Sequence, residues 1–239
     1  MPMNNRLLRP LARFNPLSIA GLVLWFDAAD RSTVTEAGGD GTGVSEWRNK
    51  SALSGRNMTQ AIANNRPLYE AAYLAGKHSV VFDGDNDILT CTSVTLTHPF
   101  DFFAVMRHNS AYVSVKRWSS SPAVFQGISG GRSTGTNLFM INGTPFTSVV
   151  GNPIVHPETF SVIEFSIDGA NSVGRCNGEA FTTMPGGTIG TGNPGGLSLG
   201  GGVGTYSEIA VSECLVFSRT LTSGEQSSVT QYLRSKWGV

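Results

Sequence analysis

The sequence has few charged residues and no excess of either sign. Lys and Arg together number 17, Asp and Glu together number 17, and charged residues make up 14% of the chain. A protein without net charge lacks the electrostatic field that draws proteins to nucleic acid or to anionic membrane surfaces. The composition therefore predicts neither nucleic acid nor a membrane as a partner.

Cysteine is scarce, and the three residues present, Cys91, Cys176 and Cys214, lie far apart in the sequence. An odd number cannot form a disulfide framework, and no Cys-x-x-Cys or Cys/His spacing is typical of a zinc site. Each cysteine lies in a strand-like segment, so we expect three small buried hydrophobic side chains. No cofactor follows from them.

Long apolar runs are absent, so no segment is predicted to span a membrane. The first 16 residues, MPMNNRLLRPLARFNP, lack the uninterrupted apolar centre and the cleavage site of a signal peptide. They contain Arg6, Arg9 and Arg13 but no acid, and their three prolines oppose regular structure. We expect residues 1–16 to form an extended basic arm, which is either a frayed terminus or a docking arm. We also expect the chain to be made in the cytoplasm.

Motifs of common enzyme classes are missing as well. None of the four histidines belongs to an HExxH motif, and the sequence contains neither a Gly-x-Ser-x-Gly elbow nor a GxxxxGK[ST] loop. Zinc-hydrolase, serine-nucleophile and nucleotide chemistry are therefore not predicted.

The sequence does contain many short strand-like segments separated by glycine-rich turns. Residues 100–108, FDFFAVMRH, are apolar on both faces, which is typical of a strand that is covered on both sides. Residues 161–168, SVIEFSID, alternate, with Glu164 and Asp168 on a polar face that we expect to point outward. Asn-Gly and Asp-Gly pairs between the segments favour tight hairpins.

One amphipathic helix is predicted, at about residues 223–237. Thr222 and Glu225 have the spacing of a capping box, and Val229, Leu233 and Trp237 share a face. A single helix after many strands predicts an all-β domain over residues 17–239. The expected fold is a two-sheet antiparallel β-sandwich with a C-terminal helix.

Several segments, taken in order, resemble the laminin-G-like, concanavalin A-like jelly-roll family, in the form found in many bacteriophage virion proteins and some bacterial surface proteins. These segments are IAGLVLWFDAAD (19–30), VSEWRNKS (44–51), NRPLYE (65–70), SVVFDGDNDIL (79–89), FSIDGANSVGRCNGEAF (165–181), SECLVFSRTLTSGEQ (212–226) and YLRSKWGV (232–239). The resemblance implies a concanavalin A-like jelly roll. Related phage domains lie in capsid decorations, head fibres or tail fibres, where they contact other virion proteins or surface glycans.

From this resemblance we expect a non-enzymatic virion structural protein, a capsid decoration or fibre-type subunit that is anchored by its arm and forms a homo-oligomer. Loops around 114–122 and 186–204 would then face outward. An alternative is a lectin-like carbohydrate-binding domain for host or surface attachment, on a bacterial cell surface or outside the cell. A glycosidase is the third interpretation, because a fold alone does not define activity.

Three acids lie within five positions of SVVFDGDNDIL: Asp83, Asp85 and Asp87. Their spacing resembles the opening of a calcium loop, but the later glycine and the closing glutamate of such a loop are missing. We favour a turn in which Asp83 and Asp85 accept backbone N–H bonds, and we keep calcium as the alternative.

Other candidate site residues are few. Glu164 and Asp168 could supply the two carboxylates of a glycosidase from one strand face. In IAVSECLVF, Glu213 shares its register with Ile209, Val211, Leu215 and Phe217, which we expect to point inward. Either a bulge redirects Glu213, or it is buried and paired, with an arginine as the candidate partner; we expect a structural role. The candidates for partner or glycan contact are Trp118, Lys116 and Arg117.

Overall fold

The protein is described by a computed structural model, which covers residues 14–38, 41–108, 159–180, 196–202 and 205–239, together with the backbone of four short strands between 115 and 141. These residues contain strands, one α-helix and four short 3-10 helices (Pro16–Ser18, Arg31–Thr33, Ala63–Asn65 and Gly169–Asn171). The strands are β1 (Leu22–Asp27), β2 (Val34–Glu36), β3 (Val44–Trp47), β4 (Met58–Thr59), β5 (Leu68–Leu74), β6 (Lys77–Asp83), β7 (Leu89–Cys91), β8 (Phe100–His108), β9 (Val115–Lys116), β10 (Ser119–Ser120), β11 (Gly127–Gly131), β12 (Leu138–Ile141), β13 (Ser161–Ile167), β14 (Val173–Cys176), β15 (Glu179–Ala180), β16 (Leu197–Leu199), β17 (Gly201–Gly202), β18 (Thr205–Tyr206) and β19 (Glu208–Phe217). The helix α1 is Ser223–Trp237.

Two antiparallel sheets form the body of the protein. The larger sheet has eight strands in the order β15-β14-β13-β8-β19-β6-β5, and β1 pairs with the second half of β19. The other has six strands in the order β10-β16-β7-β4-β3-β2. Small sheets β12-β11-β9 and β17-β18 complete the described strands. The predicted all-β, two-sheet architecture with a C-terminal helix is confirmed.

The main hydrophobic core lies between the two sheets, and a second core lies between the larger sheet and α1. Strand β8 contributes to both because successive side chains of a strand point to opposite faces. Phe102 and Ala104 belong to the core between the sheets, whereas Phe103 and Val105 pack beneath α1. The prediction that this strand is covered on both sides is confirmed.

Strand β13 is also buried on both faces, contrary to the prediction that Glu164 points outward to solvent. Every residue from Ser161 to Ile167 is buried, and Glu164 is only 2% exposed. The physical reason is α1, which covers the outer face of the larger sheet with the apolar side chains of Val229 and Leu233. Successive side chains of β13 therefore point to opposite faces of the sheet, and both faces are covered.

Helix α1 begins and ends where its sequence predicts. The hydroxyl of Thr222 accepts a hydrogen bond from the amide of Glu225, whose carboxylate accepts one in return from the amide of Thr222. Hydrogen bonds from Arg219 and Thr222 lower the pKa of Glu225 to about 2. Gly238 ends the helix in the left-handed conformation, with φ 71°. No helix within the described ranges is long and apolar enough to cross a membrane.

The three cysteines are free and buried, as predicted. Burial raises the pKa of the Cys91, Cys176 and Cys214 thiols, so all three are protonated at neutral pH. They act as small core side chains.

Candidate functional site

Strand β19 contains a bulge that determines which way its acid points. The register of β19 against β8 shifts between Val211 and Glu213. Before the shift, Ile209 and Val211 belong to the core between the sheets, whereas after it Leu215 and Phe217 pack beneath α1. The prediction that Leu215 and Phe217 point inward with Ile209 is therefore wrong, and Glu213 lies on the helix-covered face.

Glu213 is fully buried and accepts four hydrogen bonds from four different side chains. Its Oε1 accepts from Trp25 Nε1 at 2.7 Å and from the Tyr232 hydroxyl at 2.8 Å. Its Oε2 accepts from Lys236 Nζ and from Trp237 Nε1, both at 2.6 Å. The carboxylate thus joins β1 and β19 to α1. Its charged partner is Lys236, and not an arginine as the sequence suggested.

Asp27 lies directly opposite Glu213 in the β1–β19 pair. Its carboxylate is bound by two lysines, Lys236 Nζ at 2.7 Å and Lys50 Nζ at 2.8 Å, and Lys50 also contacts Asp30 at 2.9 Å. Burial lowers the pKa of Lys50, but the bonds to Asp27 and Asp30 outweigh it and raise that pKa overall. Burial and the charge of Asp27 raise the pKa of Glu213, which Lys236 opposes.

A third acid of this face, Asp101 of β8, fixes the start of α1. Its Oδ2 accepts from the Leu221 amide and from the Gln226 side chain, both at 3.0 Å, and its Oδ1 accepts from the Ser166 hydroxyl at 2.7 Å. Burial raises the pKa of Asp101, and these hydrogen bonds oppose the rise.

Glu164 of β13 pairs with Arg175, its cross-strand neighbour on β14. The Arg175 Nη1 donates to Glu164 Oε1 at 2.5 Å, and the Thr230 hydroxyl of α1 lies 3.5 Å from Oε2. Burial raises the pKa of Glu164, whereas Arg175 opposes the rise. The acid is buried, but it borders an open groove.

We call this depression the β14 groove. It lies between α1 and strands β13 and β14 and has a volume of about 690 Å³. It is lined by Glu164, Arg175, Asn177, Gly178, Ser223, Gln226, Ser227, Thr230, Gln231, Arg234, Ser235 and Val239. Amides, hydroxyls and guanidinium groups therefore converge on one concave surface, and Glu164 is the one carboxylate side chain among these lining residues.

A second depression, the β1 groove, lies on the other side of α1 and has a volume of about 860 Å³. It is lined by Phe14, Asn15, Pro16, Trp25, Asp27, Lys50, Ser228, Gln231, Tyr232, Ser235 and Lys236. Gln231 and Ser235 line both grooves. Asp27 and the two lysines that bind it, Lys50 and Lys236, are all among these lining residues.

The three acids of SVVFDGDNDIL form a turn closed by carboxylates. Asp83 Oδ1 accepts from the amides of Asp85, Asn86 and Asp87 at 2.9–3.3 Å, and Asp87 Oδ2 accepts from the amide of Asp83 at 3.0 Å. Asp85 instead contacts the side chain of Asn86 at 3.4 Å. In the part of the chain that the structure describes, no group of three or more acidic, His or Cys side chains is arranged to hold a metal ion. Calcium stays a prediction to be tested.

Most of the remaining predicted site residues fall outside the part of the chain that the structure describes. Arg6, Arg9 and Arg13 lie outside the described residues, as do Arg117 and Trp118, and of Lys116 only the backbone in β9 is described. Asp168 follows the end of β13 and accepts from Asn171 at 3.5 Å, so it is not brought to Glu164 in a shared cleft.

Asp27, Lys50 and Lys236 were not identified from the sequence, although together with Glu213 they form the ionic centre of this face. Two local features of the sequence could have indicated them: Asp27 ends the apolar segment WFD, and Lys236 lies beside the apolar Trp237 in SKW. Nothing in the spacing pairs them, because 209 positions separate Asp27 from Lys236.

No protein-family model matches the chain, and no curated protein is similar to it in sequence. Solved structures do resemble it. The sialidase of Trypanosoma rangeli is 13% identical with a TM-score of 0.58, and the match covers 92% of this chain and 34% of the sialidase. The chain therefore spans about a third of the length of that enzyme.

Two other similar structures come from enzymes named as an arabinanase and an arabinofuranosidase. Domain 4 of AbnA, a GH43 extracellular arabinanase from Geobacillus stearothermophilus, was solved in complex with arabinotriose; it is 14% identical with a TM-score of 0.54, and the match covers 88% of this chain and 97% of that one. A GH54 α-L-arabinofuranosidase soaked with a cyclic sulfate inhibitor is 12% identical with a TM-score of 0.58, over 81% of this chain and 51% of that one. These likenesses establish a β-sandwich fold.

The prediction of a non-enzymatic virion structural protein is contradicted by these matches. It followed from a resemblance of short segments to phage domains, whereas the structures that resemble the whole sandwich come from a sialidase and an arabinofuranosidase.

Proposed function

We propose that this chain is a concanavalin A-like, laminin-G-like jelly-roll domain that binds a neutral glycan in the β14 groove. The observation that carries the proposal is the lining of that groove. A sugar presents hydroxyls that both donate and accept hydrogen bonds, and the groove offers both kinds of partner from Asn177, Gln231 and Arg234.

The Arg175–Glu164 ion pair at the edge of the groove favours an uncharged ligand. Arg175 is already paired with Glu164, and Arg234 donates to the backbone carbonyl oxygen of Val239 at 3.0 Å. A neutral glycan can add hydrogen bonds to these groups without separating a buried ion pair, which would be costly. Planar guanidinium and amide groups can also form two parallel hydrogen bonds to adjacent hydroxyls.

The arabinanase domain supports the same proposal. It was solved as a separate domain in complex with arabinotriose, and this chain matches nearly all of it. A domain of this size and fold is therefore sufficient for glycan binding in that protein. We extend the ligand class to this chain, and arabinotriose is the first ligand to test.

The acidic residues that line the β14 groove favour glycan binding without hydrolysis. Most glycosidases use two carboxyl groups on opposite sides of the scissile bond. Glu164 is the one carboxylate side chain that lines the β14 groove, and it is held by Arg175 and Thr230. A second acid for catalysis is not supplied by the other described lining residues.

The second candidate function is glycoside hydrolysis with Glu164 as the general acid. One observation favours it, namely that burial raises the pKa of Glu164 at the edge of an open groove, as a general acid requires. The names of the similar structures agree with this candidate. Incubation with arabino-oligosaccharides and an assay for reducing ends separates the two: we expect no release, whereas release that Glu164→Gln abolishes would establish hydrolysis.

The proposal is tested by isothermal titration of the whole chain with arabinotriose and a panel of other neutral oligosaccharides. We expect saturable binding that Arg234→Ala and Gln231→Ala each weaken by about three- to tenfold, the effect of one lost hydrogen bond. Arg56→Ala is the matched control, since Arg56 lines neither groove. Absence of binding to every sugar, or binding that neither groove variant weakens, would overturn the proposal.

A further inference from the structure

The β14 groove and the β1 groove are separated only by the exposed ridge of α1. Gln231 and Ser235 stand on this ridge, are exposed, and line both depressions. A ligand that leaves the β14 groove across these two side chains therefore enters the β1 groove directly.

The β1 groove differs from its neighbour because aromatic rings line it. The rings of Phe14 and Tyr232 lie 5.3 Å apart and are half-buried, so each still presents part of its surface. Lys50 Nζ covers the ring of Trp25 at 4.6 Å. Apolar ring surface beside polar groups suits the faces of sugar rings, which carry C–H groups, as well as their hydroxyls.

The charges of the β1 groove are also paired within the protein. Lys50 contacts Asp27 and Asp30, and Lys236 contacts Asp27 and Glu213. A charged ligand would have to compete with these buried pairs, whereas a neutral one would not. The ion pairs of both grooves thus favour the same class of ligand, an uncharged one.

From these observations we infer that the two grooves form one binding surface for a linear neutral oligosaccharide, which crosses α1 at Gln231 and Ser235. An α-helix with its side chains is about 10 Å wide. A single sugar ring that occupies the β14 groove cannot reach Phe14 across that width, whereas a longer chain can. The surface therefore selects for chain length, and this inference rests on the glycan binding proposed above.

The test is a titration of the whole chain with linear arabino-oligosaccharides, from the disaccharide to the octasaccharide. We expect affinity to rise about tenfold with length and then to level off when both grooves are filled, the gain of one additional buried aromatic contact. Phe14→Ala should remove this gain. Arg234→Ala, in the β14 groove, should weaken binding at every length.

Leu17→Ala is the matched control for Phe14→Ala, because Leu17 is a nearby apolar side chain that is 49% exposed and lines neither groove. Equal melting temperatures of the variants exclude a change in folding. Affinity that is independent of length, with Arg234→Ala still weakening the disaccharide, would overturn the inference and leave the proposed function standing. Absence of binding at every length would overturn both.

Discussion

Glu213 of β19 and Lys236 of α1 form an ion pair with 2.6 Å between oxygen and nitrogen, and the Glu213 side chain is completely buried. The same carboxylate accepts hydrogen bonds from two tryptophans, Trp25 and Trp237. The helix is therefore attached to the sheet through a buried charge as well as through apolar packing. Removal of the Glu213 charge leaves Asp27 as a charged partner of Lys236, but it ends the attraction within this buried pair.

Glu213→Gln should accordingly lower the free energy of unfolding by about 3 kcal/mol, the usual loss when one partner of a buried pair is removed. Urea denaturation followed by circular dichroism measures the change. Glu179→Gln is the matched control, since Glu179 is exposed, and it should change stability by less than about 0.5 kcal/mol. Equal losses in the two variants would show that the ion pair does not stabilise the fold.

Local features of the fold were predictable from the sequence. Helix α1 was predicted at its observed bounds because the capping box of Thr222 and Glu225 and the stop at Gly238 are local signals. The two-sided burial of β8 followed from its continuous apolar run, since such a run has no polar face to expose.

Features that depend on how distant elements dock were not predictable. Glu164 was expected in solvent because its strand alternates, and only the position of α1, far along the chain, decides that its face is covered. The β1 groove likewise joins Trp25 to Lys236, residues from opposite ends of the chain. Sequence spacing carries no information about such contacts.

Gly200 is a position where we expect any side chain to be destabilising. A Cβ there would collide with the ring of Phe82 and lie 2.7 Å from the carbonyl oxygen of Asp87. Its φ of 85° adds backbone strain for any other residue. Gly200→Ala should lower the free energy of unfolding by about 2 kcal/mol more than Gly76→Ala, within the range for overpacking.

Gly76 is the matched control because its φ of 70° is also positive while a Cβ there meets nothing within 4 Å. The difference between the two variants in urea denaturation therefore isolates the collision from the backbone strain. Similar losses at both glycines would mean that Phe82 moves aside.

Calcium should leave the melting temperature unchanged. Hard cations require six to eight oxygen ligands, and in the turn Asp83 Oδ1 and Asp87 Oδ2 already accept backbone N–H bonds. Thermal denaturation in millimolar calcium and in chelator measures the effect. A calcium-dependent rise that Asp83→Asn abolishes would contradict the expectation, because a ligand of the folded state stabilises it by mass action.

Asp87 should make stability depend on pH between about 4 and 6. Burial, with the charges of Asp83 and Asp85, raises the pKa of Asp87 from 3.8 to about 6, so over this range the folded chain holds a proton that the unfolded chain has released. The stability of the wild type relative to Asp87→Asn is therefore highest below pH 4 and falls, by at most about 3 kcal/mol, as the pH rises through 6. Urea denaturation of both proteins from pH 4 to pH 7 measures the difference. Asp85→Asn is the control: Asp85 is an exposed neighbour, and this variant should keep most of the pH dependence because Asp87 still titrates. If the stability difference between the wild type and Asp87→Asn is the same at every pH, the pKa of Asp87 is not raised.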